Sequence, residues 1–375
     1  MRRKPMIACL VAICLLLGGC AAAPTGIVSR EVTPTVLGQP QAARYAAGET
    51  GRNAWDMAVF NDKLYVGGGD YDSNLGPVDI WCYDFSAAEW QLTGNVPDEE
   101  VSRFTVIDGH LIAPGIDPRQ SWQLGNYYTL TADGWETTRS LPGGIHVYDM
   151  AQFDGKLFAA LGVVEGEFPV AVSSDGGKTF QQLPLVKDGA PLQTAGSFIR
   201  VYRFLEKDDA LYAFYYNSDG EQSSVELYWY ENGAFAYYAD WQSVKRRGRF
   251  GNVMIAGAET VGDTLYFATG KLYAATDMAV PLDVTPSADA YTPDLTMAED
   301  TLCVLACEPQ EETYRVSVWT LTNGKLVERF YFSYAVPAVS LAYREGVFYL
   351  GMGNNDKQNG HTLNGTVLAV DFPLS

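Results

Sequence analysis

Seven times along this chain an apolar run meets a short polar turn and a second apolar run opened by Leu or Phe. The copies are VFNDKLYVGG, VIDGHLIAPG, QFDGKLFAAL, FLEKDDALYAF, TVGDTLYFAT, MAEDTLCVLA and YREGVFYLGM, anchored at Leu64, Leu111, Leu157, Leu211, Leu265, Leu302 and Phe348. The third copy shows what each belongs to. Between Gly143 and Pro184, Met150–Phe153 closes a first β-type run and Asp154-Gly155 has the composition of a type I′ hairpin turn, whose twist suits right-twisted strands. Leu157–Leu161 follows. A third run, Pro169–Ser173, is turned by Asp175-Gly176-Gly177-Lys178 into a fourth, Thr179–Leu183. Such a four-stranded meander cannot bury both of its faces alone, so its copies must pack on one another.

The anchors lie 47, 46, 54, 54, 37 and 46 residues apart, a blade-sized period. Aromatic-rich second hairpins follow the first six copies, among them DIWCYDFSAAEWQL, NYYTLTADGWETT and VSVWTLTNGKLVERF. The seventh copy ends in GTVLAVDFPLS, one strand short of four. An isolated β-prone run, Ile27–Leu37, can supply the missing strand and leave no open sheet edge. The expectation is an all-β, seven-bladed β-propeller of four-stranded antiparallel blades, one domain over residues 27–375, whose last blade is completed by an N-terminal strand.

The residues before that domain have a different character. Arg2, Arg3 and Lys4 precede an apolar stretch, Met6–Leu17, too short to span a bilayer, and Leu17-Gly18-Gly19-Cys20 resembles the lipobox of bacterial lipoproteins. The resemblance implies a signal peptide over 1–19, lipidation of Cys20, a tether over 20–26, and a membrane-anchored protein of the cell envelope outside the cytoplasm. The formal charge is -19, which excludes nucleic acid as a natural partner. Beyond residue 20, Cys82, Cys303 and Cys307 are too few for a disulfide framework.

Two repeats carry further signatures. Tyr65-Val66-Gly67-Gly68 with Tyr83-Asp84 and Trp90 resembles a kelch repeat, and Ser173, Asp175, Gly177, Thr179 and Phe180 are spaced as in a sequence similar to the Asp box of BNR proteins. Both resemblances imply blade hairpins held by their turns, away from a ligand pocket.

In an up-and-down meander the connections between second and third strands, and those between successive blades, emerge at one end of the ring. That loop-rich end gathers the candidate binding residues Asn53, Arg103, Asp117, Trp122, His146, Arg200 and Arg249. Basic groups from four repeats in an acidic protein suit an anionic or hydroxyl-rich ligand; arginines paired with neighbouring carboxylates as loop braces are the competing reading. Asp70, Asp72 and Asn74 alternate as calcium ligands do, but Gly76 falls one place late and no Glu follows in register, so calcium is the weaker reading and no cofactor is expected. The partners expected are a glycan, a peptide or an envelope protein, bound by a monomer without catalysis. The alternative is a sialidase-like hydrolase or lyase acting on extracellular polysaccharide, which needs two suitably separated carboxylates.

Overall fold

The computed structural model describes residues 29–164, 166–192, 199–217, 224–244, 255–354 and 360–374. Cys20, the leader, the whole tether and Arg249 lie outside them. Among the described residues, helix is confined to three 3-10 turns, and no helix is long and apolar enough to cross a membrane.

The chain forms antiparallel four-stranded blades arranged as a β-propeller. Repeat 1 folds as Met57–Phe60, Lys63–Val66, Val78–Asp84 and Glu89–Val96, and repeats 2, 5, 6 and 7 likewise form their own sheets. The expectation of seven blades is corrected: five repeats stand as separate blades. Repeats 3 and 4 are joined in one 13-stranded sheet, because Gly162 and Val163 of repeat 3 pair with Arg200 and Ile199 of repeat 4. Leu185–Lys187 strengthens that join by running from repeat 3 to lie parallel to Ala234–Asp240, the outer strand of repeat 4.

Burial follows position in the blade. Second strands such as Lys156–Val163 are packed between neighbouring sheets and carry near-continuous apolar runs, whereas the outer strand Glu89–Val96 is half exposed. Aromatic rings fill the spaces between sheets: Phe85 meets Tyr349 at 5.3 Å between repeats 1 and 7, Tyr65 meets Trp135 at 6.1 Å between 1 and 2, and Trp241 stacks on Phe267 at 4.9 Å between 4 and 5. The last repeat therefore packs on the first. Asp154 and Gly155 have φ of 48° and 68°, the left-handed pair that a type I′ turn requires.

The N-terminal run divides. Thr35–Gly38 lies antiparallel to Val367–Asp371 in the sheet of repeat 7, with Val36 opposite Leu368. Arg30–Glu31, expected in the same strand, instead runs parallel to Lys325–Tyr334 in the sheet of repeat 6. Pro34 between them lacks an N–H to continue a ladder, so the run breaks there. Ile27 and Val28 lie outside the described residues.

One element has no counterpart among the expected strands. Gly68–Gly69, Asp98–Val101 and Ile116–Pro118, all from connections at the loop-rich end, pair antiparallel as a ribbon, and Ile116 pairs with His146 at the head of the inner strand of repeat 3.

Candidate functional site

Each inner strand is preceded or entered by one residue lying eight places before the repeat's anchor: Asp56, Arg103, Asp149, Arg203, Gly257, Asp294 and Ser340. Three of these are carboxylates with a common task. Asp56 accepts the N–H of Phe104 at 2.6 Å, Asp149 that of Phe204 at 2.8 Å, and Asp294 that of Leu341 at 2.8 Å, each reaching the inner strand of the next repeat. Ser340 donates to the carbonyl of Ala54 at 2.6 Å and links repeat 7 to repeat 1 in the same way. Burial pushes the Asp56 carboxyl up to about 6 and Asp294 well above the usual carboxylate range. The recurrence of Asp before an apolar inner run, in WDMAVF, YDMAQF and PDLTMA, is the sequence signal for this belt.

Of the described basic candidates Arg103, His146 and Arg200, only Arg103 belongs to the belt. Its Nε donates to Asp149 at 2.7 Å and its Nη1 to the carbonyl of Ala256 at 2.8 Å, so it braces repeat 2 against repeats 3 and 5. Arg203, absent from the expected set, takes the belt position of repeat 4, three residues beyond Arg200.

The loop-rich end is organised by the ribbon. It sets Asp117 Oδ1 3.0 Å from His146 Nε2, and His146 Nδ1 lies 2.5 Å from the hydroxyl of Tyr148. Tyr148 packs on Tyr202 at 4.5 Å, and Tyr202 is hydrogen-bonded to Arg200. Asp117, His146 and Arg200 thus join one polar network, buried at His146, Tyr148 and Tyr202. Asp117 has φ of 56° inside a strand, whereas most other non-glycine residues in that region sit in hairpin turns. Such backbone strain concentrates at sites where a side chain must be aimed.

Asp117 also faces a cleft of about 540 Å³ with Asn74, Glu99, Pro118, Arg119, Ser121 and Trp122. Trp122 is 63% exposed beside it. Glu99 Oε2 is buried without a hydrogen-bond partner among the described residues, and burial followed by the charge of Asp117 raises its carboxyl. Arg119 is held by donation to the carbonyl of Gly76 at 2.8 Å.

The other expected residues hold the loops together, Asn74 at the edge of the cleft among them. Asn53 is fully buried, and its amide brackets the backbone of Asn354 at 3.0 and 3.1 Å, so it ties loops together beneath the surface. Asp70 caps the turn Tyr71–Ser73, accepting from Ser73 N at 3.2 Å and Ser73 Oγ at 2.9 Å as well as from Thr50, and Asn74 ends that turn in a left-handed conformation. Among the described residues no group of three or more His, Cys, Asp or Glu is set to hold a metal ion. In the turn of repeat 3, Asp175 accepts from Thr179 N at 3.0 Å and Thr179 Oγ1 at 2.6 Å, and Ser173 Oγ accepts from Gly177 N at 2.9 Å.

A scan against models of protein families and a search of curated proteins both find no match. Solved structures do resemble the chain. One from the crystal structure of the mitotic checkpoint complex has TM-score 0.50 at 10% identity, over 90% of this chain and 99% of that one. Puromycin hydrolase has TM-score 0.50 at 11% identity over 87% of this chain, which spans about half of the hydrolase, 53%. Sqt1 of Saccharomyces cerevisiae has TM-score 0.47 at 9% identity, over 92% of this chain and 99% of that one. At these identities the likeness to the first two establishes a β-propeller fold and nothing of activity.

Proposed function

We propose that the protein is a lipid-tethered, extracytoplasmic propeller that binds a glycan in the loop-end cleft. In this reading Thr35–Gly38 supplies the fourth strand of the last repeat, and Cys20 carries the lipid. The observation that carries the proposal is the exposed ring of Trp122 beside a cleft lined by Asp117, Glu99 and Arg119. An aromatic face stacks on the apolar side of a sugar ring, while fixed carboxylates and a guanidinium exchange hydrogen bonds with hydroxyls. The His146 and Tyr148 network supports this by fixing the Asp117 carboxylate before a ligand arrives.

A glycan array with the chain from residue 29 onward, followed by titration of the best oligosaccharide, tests the reading. Trp122→Ala is expected to weaken binding by about tenfold or more, the scale of one well-packed aromatic contact. Retention of full affinity by Trp122→Ala would remove the cleft from consideration. Palmitate labelling that persists in Cys20→Ser would refute the tether.

Glycoside hydrolysis is the second reading, favoured by the pairing of Glu99, a carboxyl held toward its protonated form, with Asp117 in one cleft. Release of reducing ends from the bound oligosaccharide, abolished in Glu99→Gln, would select it over simple binding.

A further inference from the structure

We infer that the axial cavity, between the belt and the tight-hairpin end of the ring, is a second binding site, for a small zwitterion carrying a carboxylate and an ammonium group. The cavity has a volume of about 560 Å³ and is lined from Arg103, Asp149 and Arg203 down to Asp108, with Glu206 and Glu259 on its walls. Asp108 lies in the hairpin turn of repeat 2, which puts the mouth at the end opposite Trp122.

Arg203 is the telling residue. Its side chain is 9% exposed, yet its Nε and Nη1 are buried with no hydrogen-bond partner among the described residues. The nearest carboxylate oxygen, Asp149 Oδ2, is 3.7 Å away and already accepts from Phe204. A guanidinium with two buried nitrogens unsatisfied is costly unless an incoming acceptor completes it. A carboxylate is the acceptor whose geometry and charge match it.

The rest of the lining rules against a simple anion. Asp108, Asp149, Glu206 and Glu259 outnumber Arg103 and Arg203, and Arg103 is already engaged by Asp149 and Ala256. A simple cation would leave Arg203 unfulfilled, and a simple anion would meet the acidic walls. A molecule with its carboxylate on Arg203 and its ammonium toward Glu206 and Glu259 satisfies both, the chemistry of an amino acid or a short peptide. The site is independent of the glycan cleft, from which it is separated by the belt.

Three probes of one chain length isolate the charges: 6-aminohexanoate, hexanoate and hexylamine, each titrated by saturation-transfer NMR. The expected result is binding of 6-aminohexanoate about tenfold or more tighter than either singly charged probe, the scale of one charge-assisted contact. Arg203→Met should abolish that preference, and Glu259→Gln should weaken 6-aminohexanoate while leaving hexanoate unchanged or tighter. Should Arg203→Met fail to fold, Arg203→Lys, which keeps the charge and loses the planar fork, is expected to weaken 6-aminohexanoate in its place. No saturation transfer to 6-aminohexanoate, equal binding of all three probes, or affinity untouched by Glu259→Gln and by the Arg203 variant that folds would each overturn the inference.

Discussion

Asp149 on the axis and Asp117 at the loop-rich end are both carboxylates beside a basic partner, at 2.7 Å from Arg103 and 3.0 Å from His146. Their surroundings give them different work. Asp149 has a side chain only 4% exposed, with one oxygen held by Arg103 and the other by the N–H of Phe204. Asp117 is 18% exposed and opens onto a cleft. A carboxylate whose two oxygens are both answered from within the protein joins its neighbours; one answered on a single side and left facing solvent can meet a ligand.

The difference can be broken most sharply by removing the axial member. Asp149→Ala should cost roughly 3–5 kcal/mol in denaturant unfolding, because it leaves the Arg103 guanidinium and the buried N–H of Phe204 without their shared partner. Asp117→Asn keeps an acceptor for His146 and should cost less than about 1 kcal/mol while lowering glycan affinity. Equal costs would erase the distinction between a joining and a presenting carboxylate.

The next effect depends on pH. Burial raises Asp98 to about 7 and Glu100 to about 8 on the loop-end ribbon. A carboxyl raised in the folded state makes the folded form bind more protons than the unfolded one, so its contribution is full below about pH 4 and is lost as pH rises through the folded value. Stability should fall between about pH 5 and 8, and Glu100→Gln should recover on the order of 2–4 kcal/mol at pH 8.5 with little change at pH 4. A flat difference between wild type and Glu100→Gln across that range would show that the ribbon is not the acidic burden described.

A smaller loss is expected on starting the chain at Gln39. That removes the strand paired with Val367–Asp371 and the acceptor at Leu37 for Trp90 Nε1 at 3.0 Å, and should destabilise by about 2 kcal/mol or more. Unchanged thermal unfolding would mean that the ring holds without its N-terminal strand. The smallest effect is that of Trp122→Ala on stability, within about 0.5 kcal/mol because the ring is exposed, even as binding is lost.

The local chemistry of this chain was readable residue by residue. Asp154-Gly155 specifies its turn because two adjacent residues must adopt positive φ, and few residue types do so cheaply. The repeat rhythm specifies stacked meanders for a similarly short-range reason, since each hairpin needs another to cover its faces. The belt is written in the chain too, in the constant eight-residue spacing from Asp56 to Leu64 and from Arg203 to Leu211, but the basic character of His146 and Arg200 does not by itself distinguish them from the belt residues three places further on.

What only the tertiary structure decided are pairings between segments far apart in sequence. Nothing local says that Asp98–Val101 will lie between Gly68–Gly69 and Ile116–Pro118, or that this will bring Asp117 against His146. Backbone hydrogen bonding between loops depends on where neighbouring blades hold their ends, and short-range patterns carry no record of that. The same holds for Arg203: its charge is written in the chain, but the two buried nitrogens without a hydrogen bond among the described residues exist only once the inner strands have closed round the axis.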